Sequence, residues 1–324
     1  MKRRSQNNPA TKISNAPNIF CLNCLQKLKH KLFSAKHPTL PTKIYSYYIC
    51  DNCKLIQIYP LPYNYQLEKF YNFRNPHIHN VSSNPQINFI NQLPMGKKFL
   101  EKYHYWIAKN RYKHILQLKK VGSILDIGCS DGLFLTNFDS EKWEVAGIEL
   151  NKNVAKLAKA KFKHACIYHS PLESFKTQQT FDIITLWHVF EHLRNPKLAL
   201  KKLHKLLKKK GVLVIEVPNG ESLNRKIFGP YWQQLLMPKH LCFWSKKSFQ
   251  NSLEIAGFRL LKVSYFGIFS FSAASSIANF LRSKGVSSYL AILFVIFLSP
   301  LIIVFNFFSF NWRENMLVIA KKTK

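Results

Sequence analysis

From residue 121 to residue 267 the chain alternates short apolar runs with longer amphipathic ones. Runs at 123–127, 144–149, 165–168, 182–187, 211–217 and 258–265 have strand length and are rich in Ile, Leu and Val. Between them, apolar residues recur every three or four positions near 132–138, 151–162, 196–209 and 246–256, which predicts helices. That rhythm predicts an α/β fold with a doubly wound, Rossmann-like parallel sheet. A further run at 315–320 reads as a seventh strand. Upstream, spaced aromatics and leucines over 95–119 predict a helix packed across the sheet, where its residues cap a substrate.

One segment breaks the pattern. Residues 289–310 carry no charge and are interrupted only by Pro300, and the stretch 266–281 before them is apolar and rich in small residues. About 20 apolar residues suffice to cross a bilayer as a transmembrane helix. Yet both flanks of this insertion belong to one sheet, so a single crossing would strand the seventh strand on the far side. A hairpin, or a re-entrant element broken at Pro300, is therefore expected over 268–312, holding the protein to the cytoplasmic side of a membrane. The organisation expected is a disordered tail (1–19), a cysteine-bearing ribbon (20–62), a helical cap or linker (63–120), the α/β domain (121–267), the apolar insertion (268–312) and a final strand (313–324).

Charge adds a partner. Forty-eight basic residues face sixteen acidic ones, a formal charge of +32, which exceeds what solubility needs and points to an anionic membrane surface or to RNA. The predicted helix at 197–210 aims Leu198, Leu200, Leu203, Leu206 and Leu207 at the core and carries seven lysines without one acid. Such a face repels itself unless an anionic surface lies alongside. The basic start of the chain is not followed by an apolar stretch, so no secretory signal is expected, and a disulfide framework is not expected either.

Four of the seven cysteines form two C-x-x-C knuckles, Cys21/Cys24 and Cys50/Cys53, with twenty-five residues between them. Each knuckle aims two thiolates at one point, and two knuckles close a tetrahedron around a structural zinc ion with no position left for water. Redox chemistry would need only one knuckle. Cys129, Cys166 and Cys242 read as small core residues.

The sharpest chemical signal is the strand–turn Ile-Leu-Asp-Ile-Gly-Cys-Ser-Asp-Gly at 124–132, followed by Glu149 at the end of the next strand. Gly128 and Gly132 let the backbone turn sharply and approach a ligand, and an acid at the second strand suits ribose hydroxyls. Asp126 puts a carboxylate where a dinucleotide would need bare backbone for its pyrophosphate, and the third glycine of G-x-G-x-x-G is missing. The charge of the site suits a cationic nucleoside. Two literal motifs compete: Gly128-Cys-Ser-Asp-Gly132 as a hydrolase elbow, and His188-Val-Phe-Glu191-His192 as a zinc-protease helix. The first leaves Asp126 and Glu149 without a role, and the second needs a helix where the pattern predicts a strand end.

Residues 124–135, Glu149 and the later Phe-Asp-Ile-Ile-Thr-Leu-Trp-His-Val-Phe-Glu-His-Leu at 181–193 resemble class I S-adenosylmethionine (SAM)-dependent methyltransferases, over 121–267. The resemblance implies SAM as cofactor, held by Asp126, Gly128, Ser130, Gly132 and Glu149, with Leu172 beside the adenine. Ser130 stands where that family usually has glycine. Glu-His-Leu after the fourth strand and Pro-Asn after the fifth are similar to a branch that includes ubiquinone-biosynthesis O-methyltransferases and sugar or glycan-cluster methyltransferases. That branch implies an O-directed enzyme acting on a small-molecule, lipid-linked, glycan or quinone-like acceptor, with RNA as the alternative. Methyl transfer needs mainly positioning and a base for the acceptor. His188, Glu191, His192 and His240 are the candidates for that role, and Pro218, Asn219 and Trp232 are expected with His240 at the acceptor mouth. Asp182 is expected to be structural.

Overall fold

The computed structural model describes residues 18–36, 42–63, 96–267, 269–287, 289–291, 293–294, 297–298 and 313–323. The tail, most of the linker preceding residue 96, and Pro300 with its surroundings lie outside the described residues. Near the start, β1 (His30–Lys36), β2 (Ile44–Ile49) and β3 (Ile56–Tyr59) form an antiparallel meander. Helix α1 (Gly96–Leu118) leads into the α/β unit: β4 (Gly122–Ile127), β5 (Trp143–Glu149), α2 (Lys152–Lys161), β6 (Ala165–His169), β7 (Phe181–Trp187), α3 (Pro196–Leu206) and β8 (Leu207–Pro218). There follow α4 (Leu223–Phe228), β9 (Cys242–Phe243), α5 (Lys246–Ile255), β10 (Phe258–Phe266), α6 (Phe269–Ser283) and β11 (Asn315–Lys322).

The large sheet has seven strands in the order β10-β11-β8-β7-β4-β5-β6, parallel except for β11, which is antiparallel to both neighbours. Its strands alternate by face, as a period of two requires. Ile124, Ile183 and Val214 enter one core with Ile115 of α1 and Ala155 and Ala158 of α2. Their neighbours Leu125, Ile184 and Ile215 enter the other, with Leu200 and Leu203 of α3 and Phe249 and Leu253 of α5. The strand order reverses between β7 and β4, which opens a crevice at the carboxyl ends of the strands. Asp182, at the start of β7, accepts hydrogen bonds from the Ser123 amide and hydroxyl and pairs with Lys119 and Lys208, the structural role expected of it.

Several expectations change. The helix expected at 132–138 is a turn with one 3-10 stretch at Leu135–Asn137. Thr136 Oγ1 and Asn137 Nδ2 bond the carbonyls of Leu133 and Phe134, the acceptors that a continuing helix would use. The helix expected to reach residue 209 ends at Leu206, and Leu198 is exposed rather than in the core. Lys208–Lys210 lie in β8, where Lys208 meets Asp182 instead of stacking against other lysines. Cys166 is exposed, not a core residue.

The N-terminal meander is not a separate lobe. Its sheet continues through β9, with Ile56 paired to Phe243 and Gln57 to Cys242, and its buried residues share one core with the face of the large sheet that carries α3 and α5. The apolar insertion leaves β10 and returns to β11 at one point, since Phe266 pairs with Asn315 and Asn315 with Pro218. No helix among the described residues is long and apolar enough to cross a membrane, and α6 spans only 15 residues. A transmembrane helix thus has no counterpart among the described residues, and the hairpin or re-entrant element expected around Pro300 lies outside them.

Candidate active site

Strand β4 ends at Ile127 and the chain reverses through three left-handed residues, Gly128 (φ +72), Ser130 (φ +52) and Gly132 (φ +81). The Gly128 and Cys129 amides both donate to the Ile148 carbonyl, at 2.7 and 3.0 Å, which folds the turn onto the end of β5. A Cβ on Gly128 would sit 2.5 Å from Val189 Cγ2, and one on Gly132 would sit 2.9 Å from the Phe162 ring. Both glycines are therefore demanded by close approach as well as by φ.

Asp126 and Glu149 stand at the ends of adjacent strands, both buried. Thr185 Oγ1 donates to Asp126 at 2.6 Å. Burial pushes the Asp126 carboxyl up to about 7, against the opposing effect of that bond and of Arg111. A cation placed beside it would draw it back to the charged form. Glu149 accepts the Ser130 amide at 3.0 Å through one oxygen and the Asn151 amide at 2.8 Å through the other. A carboxylate offers about four acceptor positions, so each oxygen keeps one for a ribose hydroxyl. Leu172 is buried just beyond β6, whose last residue pairs with Glu149. Among the described residues neither carboxylate has a lysine partner, which fits a cationic nucleoside.

The other half of the crevice is a chain of ionisable groups. Arg111 of α1 lies over the Trp187 ring at 4.8 Å and grips Glu216 of β8 with two nitrogens, at 2.8 and 3.2 Å. His188 follows β7 in a left-handed conformation (φ +55), not on a helix. Its Nε2 lies 2.8 Å from Glu216 and its Nδ1 3.2 Å from Glu191. Burial pushes the His188 imidazole down, but the two carboxylates outweigh it and lift it to about 9. Burial raises Glu216 too, yet Arg111 and His188 hold it at about 2. With both nitrogens donating to carboxylates, His188 is a held cation at neutral pH and has no lone pair for an acceptor proton.

Glu191 is fully buried, and its second oxygen, Oε2, has no hydrogen-bond partner. Nearby, His192 Nδ1 bonds the Lys239 carbonyl at 2.9 Å and His240 Nδ1 bonds the Gln234 carbonyl at 2.6 Å. These bonds fix the tautomers and make Nε2 the basic nitrogen of each ring. Burial pushes His240 down to about 3, so it stays neutral. One donor atom from each of Glu191, His192 and His240 lies within 4.8 Å of the others, a spacing that suits one shared proton or one cation.

Trp232 and Asn219 are buried against the start of β11: Asn219 donates its amide to the Glu314 carbonyl and Trp232 donates Nε1 to the Glu314 carboxylate, at 2.7 and 2.9 Å. Ser272 of α6 also donates to Glu314, and the Ser276 hydroxyl accepts the Gln233 amide. The sequence reading missed Arg111, Glu216 and Glu314. Glu216 had left a signal, a lone acid inside the apolar run Val-Leu-Val-Ile-Glu-Val at 212–217.

The four knuckle cysteines converge as the spacing predicts. Cys21 and Cys53 sulfurs are 3.5 Å apart, Cys24 and Cys50 sulfurs 3.4 Å, and all four lie within 4.8 Å. The two knuckles are built alike: Leu25 and Lys54 follow them at φ +62 and +63, and their amides donate to the Cys21 and Cys50 carbonyls. The hydrogen bond from Cys21 pulls the Cys53 thiol down from its ordinary range. Converging thiols with one poised to ionise fit a tetrahedral thiolate site.

A family model of a methyltransferase domain matches residues 99–263, just over half of the chain. An uncharacterized protein of Methanocaldococcus jannaschii is 26% identical over 171 residues, which cover 51% of this chain and 81% of that protein. A ubiquinone biosynthesis O-methyltransferase of Rickettsia bellii is 30% identical over 115 residues, 34% of this chain and 46% of that enzyme, so the chain spans about half of that relative's length. Among solved structures, a SAM-dependent methyltransferase from Archaeoglobus fulgidus superposes with a TM-score of 0.48 at 23% identity, covering 69% of this chain and 99% of that one.

Proposed function

Because this chain belongs to the methyltransferase-domain family and is a class I SAM-dependent methyltransferase, we propose that it methylates an oxygen of a lipid-linked, glycan or quinone-like acceptor at an anionic membrane surface. The observation that carries this reading is the place of the apolar insertion. It leaves and re-enters the sheet at the carboxyl end of β8, the same edge at which Asp126 and Glu149 end their strands. Helix α6 then packs on the turns around Trp232, through Asn279 to the Tyr231 carbonyl and Phe280 edge-on to Tyr231. Beyond it Tyr289, Leu290, Leu293, Phe294 and Phe297 are exposed, as residues that meet lipid would be.

In this reading Glu149 holds the ribose of SAM and Asp126 the cationic end. SAM supplies a methyl carbon already activated by sulfonium, and in-line displacement needs an acceptor oxygen relieved of its proton. His192 serves as the base, with Glu191 beside it to stabilise the imidazolium that forms. His188 acts as the cation that orients Glu191, and neutral His240 accepts a hydrogen bond. The knuckle cysteines Cys21, Cys24, Cys50 and Cys53 hold a structural zinc ion, which takes no part in the chemistry.

Membranes, polysaccharide and RNA from one cell lysate, each incubated with the protein and methyl-labelled SAM, test the assignment. Label is expected in the lipid or glycan fraction and absent with Glu149→Ala. Label that enters RNA, with the salt dependence of phosphate contacts, would replace it with the RNA reading.

A further inference from the structure

The knuckle cluster and the acceptor half of the site are joined by a short run of hydrogen bonds. Gln57 of β3 is 2% exposed, and its side chain grips the first knuckle on both sides: Oε1 accepts the Leu22 amide at 2.8 Å and Nε2 donates to the Phe20 carbonyl at 3.0 Å. The backbone of the same residue pairs with Cys242 in β9. One step along, the Ile58 amide donates to the Leu241 carbonyl at 3.0 Å, and the Leu241 amide donates to the Glu191 carbonyl at 2.9 Å. Leu241 is thus clamped between the knuckle sheet and the loop that carries Glu191 and His192, and it is the covalent neighbour of His240. Both knuckles are also tied to α5: Ser245 Oγ donates to the Cys53 carbonyl of the second, and Asn23 Nδ2 of the first donates to the Ser248 carbonyl at the N-terminus of α5.

We infer that the metal-bound knuckle pair is a positioning element of the acceptor site, and that Gln57 is the residue through which it fixes His240 and Glu191 relative to each other. The inference rests on the zinc and methyl-transfer readings above. Among the described residues no comparable run of hydrogen bonds reaches the cofactor turn, whose Gly128 and Cys129 amides bond Ile148 of β5. Loading or removal of the ion therefore acts on one half of the crevice: the acceptor loop loosens while the cofactor turn stays in place. Methyl transfer by this chain depends in that way on metal supply without the metal touching SAM or acceptor.

Hydrogen exchange on the full chain tests this without a known acceptor. Zinc content by mass spectrometry is measured first, then amide exchange for the zinc-loaded protein, the phenanthroline-stripped protein and zinc-loaded Gln57→Ala. Stripping is expected to speed exchange at Leu241 and Ile58 by about tenfold or more, and at Gly128 and Cys129 by less than about twofold. Gln57→Ala keeps its zinc, reproduces a smaller part of the Leu241 effect, and shifts the ring signal of His240 in a histidine NMR spectrum, assigned with His240→Gln. SAM affinity is expected to change by less than about threefold in both. A protein that takes up no zinc contradicts the zinc assignment itself. Zinc uptake with no change at Leu241 on stripping, or with equal acceleration at Gly128 and Cys129, overturns the positioning role alone.

Discussion

The two halves of the crevice are built in different ways. On the cofactor side, Asp126, the turn at 128–132 and Glu149 come from two adjacent strands and 24 residues of chain. On the acceptor side, Arg111, His188, Glu191, Glu216, His240 and Glu314 come from separate segments that more than two hundred residues span. The first half is a local motif whose backbone geometry fixes its residues. The second is an assembly of buried charges that exists only once α1, β7, β8, the loop before β9 and the insertion have packed together. A local motif can be damaged one residue at a time. A charge network answers to the loss of any member, because removing one partner leaves the others buried and uncompensated.

That difference should appear in variants. Glu149→Ala removes the proposed ribose acceptor and also leaves the Ser130 and Asn151 amides without that partner. SAM affinity is expected to fall by about 100-fold in titration calorimetry, roughly 3 kcal/mol, since hydrogen bonds to a charged group and their orphaned partners both count. An unchanged affinity would remove Glu149 from the site.

Asp126→Asn comes next, with opposite signs on binding and stability. The Asp126 carboxyl goes from 3.8 in its ordinary state to about 7 in the fold, so the penalty it imposes on the folded chain is absent below 3.8, grows as pH rises, and is complete above about 7. The amide keeps the Thr185 bond and escapes that penalty. The cofactor-free variant is expected to be more stable than the native protein by on the order of 2 kcal/mol at pH 8, and no more stable at pH 4. Its SAM affinity should drop about tenfold at pH 8 and lack the rise expected of the native protein between pH 6 and 8. Thermal melts and calorimetry at three pH values check both signs.

Glu216→Gln sharpens the contrast from the other side. It uncouples Arg111 from His188 and should cost about 1–2 kcal/mol in a denaturant titration, with SAM affinity held within about threefold. A large loss of SAM binding would mean that the two halves are not separate. The smallest effect belongs to Ser130→Gly. A serine at φ +52 is strained by about 1 kcal/mol, and glycine should return up to that amount as stability without weakening SAM binding.

The same contrast explains what the sequence reveals. Strand periodicity placed all seven strands of the large sheet, and the glycines at 128 and 132 marked the sharp turn after β4, because both depend on neighbours in the chain. The helix expected at 132–138 was wrong because Leu133, Phe134 and Phe138 have helical spacing, while Thr136 and Asn137 divert the carbonyls. His188 was visible as a histidine near the acceptor. Its role as a held cation was not, since that depends on Glu216 and Arg111, one of them on the neighbouring strand and the other on a helix 77 residues earlier. The joining of the cysteine meander to β9 was equally hidden, for two residues carry no periodicity.

Diffraction from crystals grown with S-adenosylhomocysteine, the demethylated product of SAM, tests the central claim most directly. The ribose hydroxyls are predicted within hydrogen-bond reach of Glu149, with the sulfur facing the cluster of His192 and His240. A crevice left vacant, or one that takes a phosphate-bearing nucleotide in place of the thioether, would contradict it.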